Sequence, residues 1–149
     1  MKLATSTDLK EIMKGFAKYK SIFPHIRGDR IAIEINAGNV IYEDGVVVVF
    51  KVYKRQTQLG SVMIQPGEAK IAQIFNMNED NGQAKLVMNK WISKVATTVY
   101  LTVRGDNERA IRFYELNGFS RVGRIAWKGG SVAGLIMKNK TRLPSPAVV

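Results

Sequence analysis

The segment Tyr100-Leu101-Thr102-Val103-Arg104-Gly105-Asp106-Asn107-Glu108-Arg109-Ala110-Ile111-Arg112-Phe113-Tyr114-Glu115-Leu116-Asn117-Gly118-Phe119 decides how the chain folds. It continues a run of β-branched and aromatic residues, Thr97 to Val103, that reads as a strand. Asp106 follows as a candidate N-cap, and the helix after it turns Ala110, Ile111, Tyr114 and part of Phe113 inward. Asn117-Gly118 then ends the helix as a left-handed cap requires.

Downstream, Phe119 to Trp127 and Ser131 to Lys138 read as two strands joined through Gly129-Gly130. A domain over residues 1–138 is therefore expected, with a flexible tail over 139–149. Upstream, Ala84, Val87, Met88, Trp91, Ile92 and Val95 give one apolar helical face. Ala69 to Met77 reads as a strand whose alternation breaks near Gln73, which suits a bulge. Val62 to Ile64 is a brief strand stopped by Pro66-Gly67, and Lys54 to Gln58 reads as a polar, basic loop. Val40 to Tyr42 and Val46 to Tyr53 flank Glu43-Asp44-Gly45, a hairpin signal. Ile31, Ile33 and Ile35 alternate as in a strand, but Gly38-Asn39 after them favours a short helix over Asp29 to Ala37. Near the start, Thr5-Ser6-Thr7-Asp8 offers N-caps. Leu9, Ile12, Met13, Phe16 and Phe23 recur at helical spacing, and Pro24 ends that element. Lys10, Lys14 and Lys18 form the wet stripe of this helix. The pattern predicts an α/β chain with a mixed sheet covered by helices on both faces.

Composition narrows the chemistry. The 149 residues suit one ordinary domain, and 46% hydrophobic with 23% charged residues fits neither disorder nor a membrane protein. The absence of cysteine excludes disulfides and thiolate chemistry, and the single His25 excludes a multi-histidine metal site. The opening residues lack a secretory-signal pattern, so a cytoplasmic setting is expected. A net charge of +11 stands out, and no acid follows Glu115. Such a balance fits a polyanionic partner, or merely a solvated basic surface. Before the helix at Ala84, the amides around Gly82 and the Lys85 cation could cradle a phosphate, although Asn81-Gly82 also reads as a plain tight turn.

The strand, Asn107, the helix with Ala110 and Phe113-Tyr114, and the closing Gly118-Phe119 strongly resemble the second half of the GNAT N-acetyltransferase superfamily. Upstream, Glu79-Asp80-Asn81-Gly82-Gln83-Ala84 resembles the family's diphosphate loop, with Glu79 where glutamine or arginine is usual. The resemblance covers residues 1–138, Lys2 to Leu9 being similar to the family's first strand and capped helix. It extends to compact phage members.

The resemblance implies a mostly antiparallel central sheet with a V-shaped splay between two parallel strands, Ala69–Met77 and Thr97–Val103. Acetyl-CoA would enter that splay. Its pantetheine would pair with the backbone at Ile74, Phe75, Asn76 and Met77, and its diphosphate would meet Asn81, Gly82, Gln83, Ala84 and Lys85. Asn107 would hydrogen-bond the cofactor or cap its helix. Tyr114 would protonate the departing thiolate, or else pack in its helix's buried face. Gln73 and Asn76 cannot accept a proton, so the base would be a water or one of Glu68, Glu43, Asp44 and His25. Lys51, Lys54, Arg55 and Gln73 would meet the acceptor, an amine on or near nucleic acid such as aminoacyl-tRNA, a ribosomal protein or a nucleobase. A homodimer is compatible with this reading. The alternative is an inactive GNAT-fold module holding nucleic acid or a protein on its basic surface.

Overall fold

Thr5 and Asp8 start the first helix, the Asp8 carboxylate accepting from the Thr5 N–H at 2.8 Å. The computed structural model describes residues 1–78 and 81–139. Asn139, expected to open a flexible tail, is instead buried and paired in strand register with Val99 and Phe119, and the rest of the expected tail, 140–149, lies outside the described residues. The chain packs as two compact units, Met1–Phe50 with Gln73–Lys90, and Lys51–Ala72 with the chain from Trp91.

In the first unit, α1 (Leu9–Lys18) buries Ile12, Gly15 and Phe16, and α2 (Gly28–Asn36) buries Ile31 and Ile35. Ile33 stays exposed, as helical and not strand spacing requires. The first helix was expected to reach Phe23 but stops at Lys18. Tyr19 leaves helical geometry, and turns closed by the Ile22 and Phe23 amides on the Tyr19 carbonyl follow. Phe23 still reaches the ring of Phe16, so burial is satisfied without a longer helix. β1 (Val40–Glu43) pairs antiparallel with β2 (Val46–Val52) through the Asp44-Gly45 turn, where both residues have positive φ. Leu3 bridges to Ile41 ahead of them.

The second unit contains a hairpin the sequence conceals. β3 (Thr57–Leu59) pairs with β4 (Val62–Ile64), so Thr57 and Gln58 belong to a strand and not to the expected loop. Polar Thr57 and Gln58 mask the strand pattern; what holds it is Leu59, Val62 and Ile64 packing with Tyr53, Tyr100, Ile125 and Ile136. β5 (Ala69–Asn76) and α3 (Gln83–Val95) contribute to both units, Gln73–Lys90 belonging to the first, and Val87, Met88 and Trp91 of α3 are buried. β6 (Val99–Arg104), α4 (Glu108–Leu116), β7 (Phe119–Trp127) and β8 (Val132–Asn139) follow among the described residues.

The main sheet runs β1-β2-β5-β6-β8-β7, with β3-β4 a separate two-stranded sheet. β6 and β7 both pair antiparallel with β8. β5 and β6 are parallel, in the register Ala69↔Val99, Lys70↔Tyr100 and Ile71↔Leu101. β5 runs on from that register to Asn76 and delivers the chain to the loop before α3. The result is a mixed α/β fold with a mostly antiparallel six-stranded sheet. No helix among the described residues is long and apolar enough to cross a membrane.

Candidate functional site

Within the first unit, the end of β5 and the start of α3 form one braced structure. Phe75 is buried against Phe16, Tyr19 and Phe23, with ring centroids 4.7, 5.6 and 6.0 Å away. A Cβ on Gly15 would collide with that ring, which explains a glycine within α1. Phe75 can therefore offer a ligand its backbone, while its side chain serves the core. The Tyr19 hydroxyl donates to the Asn76 carbonyl at 2.6 Å. Asn76 Nδ2 donates to Asn81 Oδ1 at 2.6 Å, and Asn76 Oδ1 accepts from the Asn78 amide at 2.9 Å. Asn81 Oδ1 also accepts from the Gln83 amide at 3.1 Å, an acceptor placed where helix amides lack carbonyl partners.

Met77 is held on three sides. Its amide donates to the Gly45 carbonyl at 2.8 Å, its carbonyl accepts from Lys18 Nζ at 3.2 Å, and its sulfur accepts from the Tyr42 hydroxyl at 3.6 Å. Burial, with the Glu11 carboxylate next, pushes the Tyr42 phenol up to about 12. Gly82 has φ +77°, and the space where a Cβ would stand is open to 4 Å. Gln83 and Ala84 are half-buried, Ile74 and Gln73 likewise, and Lys85 is exposed. Glu79 and Asp80 lie outside the described residues.

Sequence reasoning identified Asn76 and Asn81 but missed that they bind one another. It also left Lys18 in a solvated stripe, whereas its ammonium reaches the backbone ahead of the loop. The repeated asparagines at 76, 78 and 81 were the available signal, since such side chains readily bond nearby amides. Of the base candidates, Glu43 accepts from Lys90 Nζ at 2.9 Å, which holds its carboxyl below the ordinary range. Asp44 occupies a left-handed turn position, and His25 is exposed.

In the second unit the structure decides between the two expected helix caps. Asn107, not Asp106, is the N-cap of α4, its Oδ1 accepting from the Ala110 amide at 3.2 Å. Asp106 instead accepts from Arg104 Nη2 at 3.1 Å, so its carboxylate is drawn away from the helix end. A ligand role for Asn107 would fall to its Nδ2. Tyr114 packs edge-on between Phe113 and Phe119, at 5.5 and 5.7 Å, and burial raises its phenol to about 12. Lys51 Nζ sits 4.9 Å over the Tyr53 ring, and Lys54 and Arg55 are exposed. Glu68 Oε1 accepts from the Gln65 amide at 2.7 Å and from the Tyr100 hydroxyl at 3.4 Å.

No protein-family model and no curated protein matches the sequence. Solved structures do match in fold. Arabidopsis thaliana NAA60 in complex with acetyl-CoA superposes with a TM-score of 0.69 at 19% identity, over 93% of this chain and 97% of that one. A GNAT-family acetyltransferase from Bacillus cereus gives 0.69 at 15% identity, over 94% and 95%. This chain has the GNAT acetyltransferase fold. The ribosomal-protein-S18-alanine N-acetyltransferase of Escherichia coli matches as well, with a TM-score of 0.62 at 15% identity over 96% and 94%. The GNAT fold was expected from the Tyr100–Phe119 segment, and the strand, α4 and the Gly118 turn at φ +91° stand where it placed them.

Proposed function

We propose that the chain is an acetyl-CoA-dependent N-acyltransferase in which the acceptor amine attacks the thioester directly. The observation that carries this reading is the loop braced by Asn76 and Asn81, which leads into the first turn of α3 with Gly82 open. Amides at a helix start favour an anion, and a residue without Cβ lets it approach the backbone. Lys85 in that turn and Lys18 on the Met77 carbonyl add positive charge. Those residues fit a diphosphate. Because Met77 has both backbone groups engaged and Asn76 its carbonyl, pantetheine would pair with β5 at Gln73, Ile74 and Phe75.

Acetyl-CoA supplies the activated acetyl group. In the proposed reaction the amine nitrogen forms the new amide bond, the carbon–sulfur bond breaks, and Tyr114 Oη gives the thiolate its proton. A phenol raised to about 12 keeps that proton throughout the neutral range. The amine's own proton passes to water, since β5 presents the amides Gln73 and Asn76 where a carboxylate base could have stood. The net charge of +11 and the exposed Lys51, Lys54 and Arg55 support an acceptor carried on or near nucleic acid. A single domain over 1–138, working in the cytoplasm, belongs to the same reading.

The amides on β5 also favour a second reading, an inactive GNAT-fold module binding a polyanion. Titration calorimetry with acetyl-CoA separates the two. Micromolar binding that Gly82→Val abolishes supports the transferase; no heat with acetyl-CoA, beside salt-dependent binding of RNA or DNA, supports the module.

A further inference from the structure

Away from Tyr114 and the loop before α3, the second unit sets Lys51, expected at the acceptor, beside two further lysines, and none of the three forms an ion pair with a described residue. The strand registers align Lys70 of β5 with Tyr100 of β6, and Tyr100 with Lys138 of β8. Directly opposed residues share a sheet face, so these three stand in one row. Lys138 Nζ lies 5.7 Å from the Tyr100 ring centroid. The Tyr53 amide donates to the Glu68 carbonyl at 2.9 Å and the Gly67 amide to the Tyr53 carbonyl at 2.7 Å, which sets the end of β2 beside the start of β5. Lys51 thereby joins the row, its ammonium 4.9 Å over the Tyr53 ring. The two rings belong to one buried cluster with Ile64 and Ile136, so the floor beneath the ammoniums is fixed.

The electrostatics of this row are incomplete. Among the described residues, Lys51, Lys70 and Lys138 form no ion pair. Glu68, the nearby acid, accepts from the Gln65 amide and the Tyr100 hydroxyl, and its single carboxylate beside three lysines leaves the row with an excess of cations. Lys70 is half-buried, and burial, followed by repulsion from Lys51, lowers its pKa. Desolvated like charges are costly unless an opposite charge answers them. Ring faces under Lys51 and Lys138 relieve the cost only in part.

We infer that Lys51, Lys70 and Lys138, on the Tyr53–Tyr100 floor, form a binding site for a phosphate group carried by the acceptor. Three lysines along one row match a multiply charged oxyanion, and exposed Lys54 and Arg55 beyond Lys51 would take the next phosphates of a nucleotide chain. The assignment to the acceptor rests on the transferase reading; the anion site itself does not.

Thermal unfolding of the full chain, with inorganic phosphate added against chloride at matched ionic strength, tests the site. At tenfold excess over its dissociation constant, phosphate should raise the wild-type midpoint by about 3–6 °C. Lys70→Met should raise the midpoint without phosphate, by removing the half-buried charge, and should erase most of the phosphate shift. Should Lys70→Met not fold, exposed Lys51→Met gives the same reading through a reduced phosphate shift. Equal phosphate shifts in wild type and variants would overturn the site, since phosphate held elsewhere, at α3 included, would stabilise all alike. A single-stranded 12-nucleotide RNA should bind wild type about tenfold tighter than Lys70→Met, with a steep salt dependence. A phosphate shift without RNA binding keeps the site and assigns it to a small phosphorylated acceptor. Acetyl-CoA calorimetry on the same proteins reads the transferase separately: no binding there removes the acceptor assignment and leaves the phosphate result standing.

Discussion

Tyr114 shows how one residue can serve packing and chemistry together. Its ring is clasped by Phe113 and Phe119, while burial raises its phenol to about 12, so the hydroxyl keeps its proton at neutral pH. Tyr114→Phe keeps the packing and deletes the proton. Turnover should fall about 10²-fold or more with acetyl-CoA affinity nearly unchanged, and stopped-assay rates beside calorimetry would show it. Undiminished turnover would remove Tyr114 from the mechanism. Gly82 makes the complementary case. Its φ of +77° disfavours a β-branched side chain, and the open space there is where an anion would approach. Gly82→Val should weaken acetyl-CoA binding at least tenfold while moving the unfolding midpoint only a few degrees. The residue types of this loop were legible in the sequence. Their mutual bonding was not, because a side-chain hydrogen bond between Asn76 and Asn81 leaves no periodic trace.

At the scale of elements, α4 depends on its cap. Asn107 Oδ1 bonds the Ala110 amide, so Asn107→Ala should cost about 1 kcal/mol, while Asp106→Ala, which removes only an exposed pair with Arg104, should cost less. Chemical denaturation of both variants orders them, and the reverse order would return the cap to Asp106. Sequence placed this helix correctly and left Asp106 and Asn107 both as caps, since Asp and Asn are equally good caps and only the pull of Arg104 on Asp106 distinguishes them here. The β1–β2 hairpin was legible from its positive-φ turn, and α2 from the glycine beyond it. The β3–β4 hairpin was not, because its strands are three residues each and their stabilising contacts come from residues distant in sequence. Ser61 and Val62 lie so close to Gly123 that a Cβ there would collide with Ser61 Oγ and Val62. Gly123→Val should therefore overpack this contact and cost about 1–3 kcal/mol, read as a lower denaturation midpoint. An unchanged midpoint would mean that the hairpin does not pack on β7.

For the molecule as a whole, its titrating groups predict how stability follows pH. Glu43 is held below 4.5 by Lys90, so it contributes stability that is present above that value and lost as pH falls through its folded pKa. Lys70 acts in the opposite range. Its folded pKa lies below 10.5, so the unfolded chain binds the extra proton, and stability rises with pH until 10.5 is reached. Tyr42 and Tyr114 then reverse the trend. Both ordinarily titrate at 10.0 and stand near 12 in the folded chain, so the unfolded state loses its protons first. Stability should accordingly fall between about pH 10 and 12, with Tyr53 and Tyr100, also raised, adding to the slope. Urea denaturation across pH 4 to 12 should trace a maximum on the alkaline side of neutrality. Tyr114→Phe should flatten the upper limb and Lys70→Met the rise before it. A profile flat from pH 10 to 12 in wild type would show that these phenols are wetter than their packing against Phe113, Phe119 and Met77 indicates.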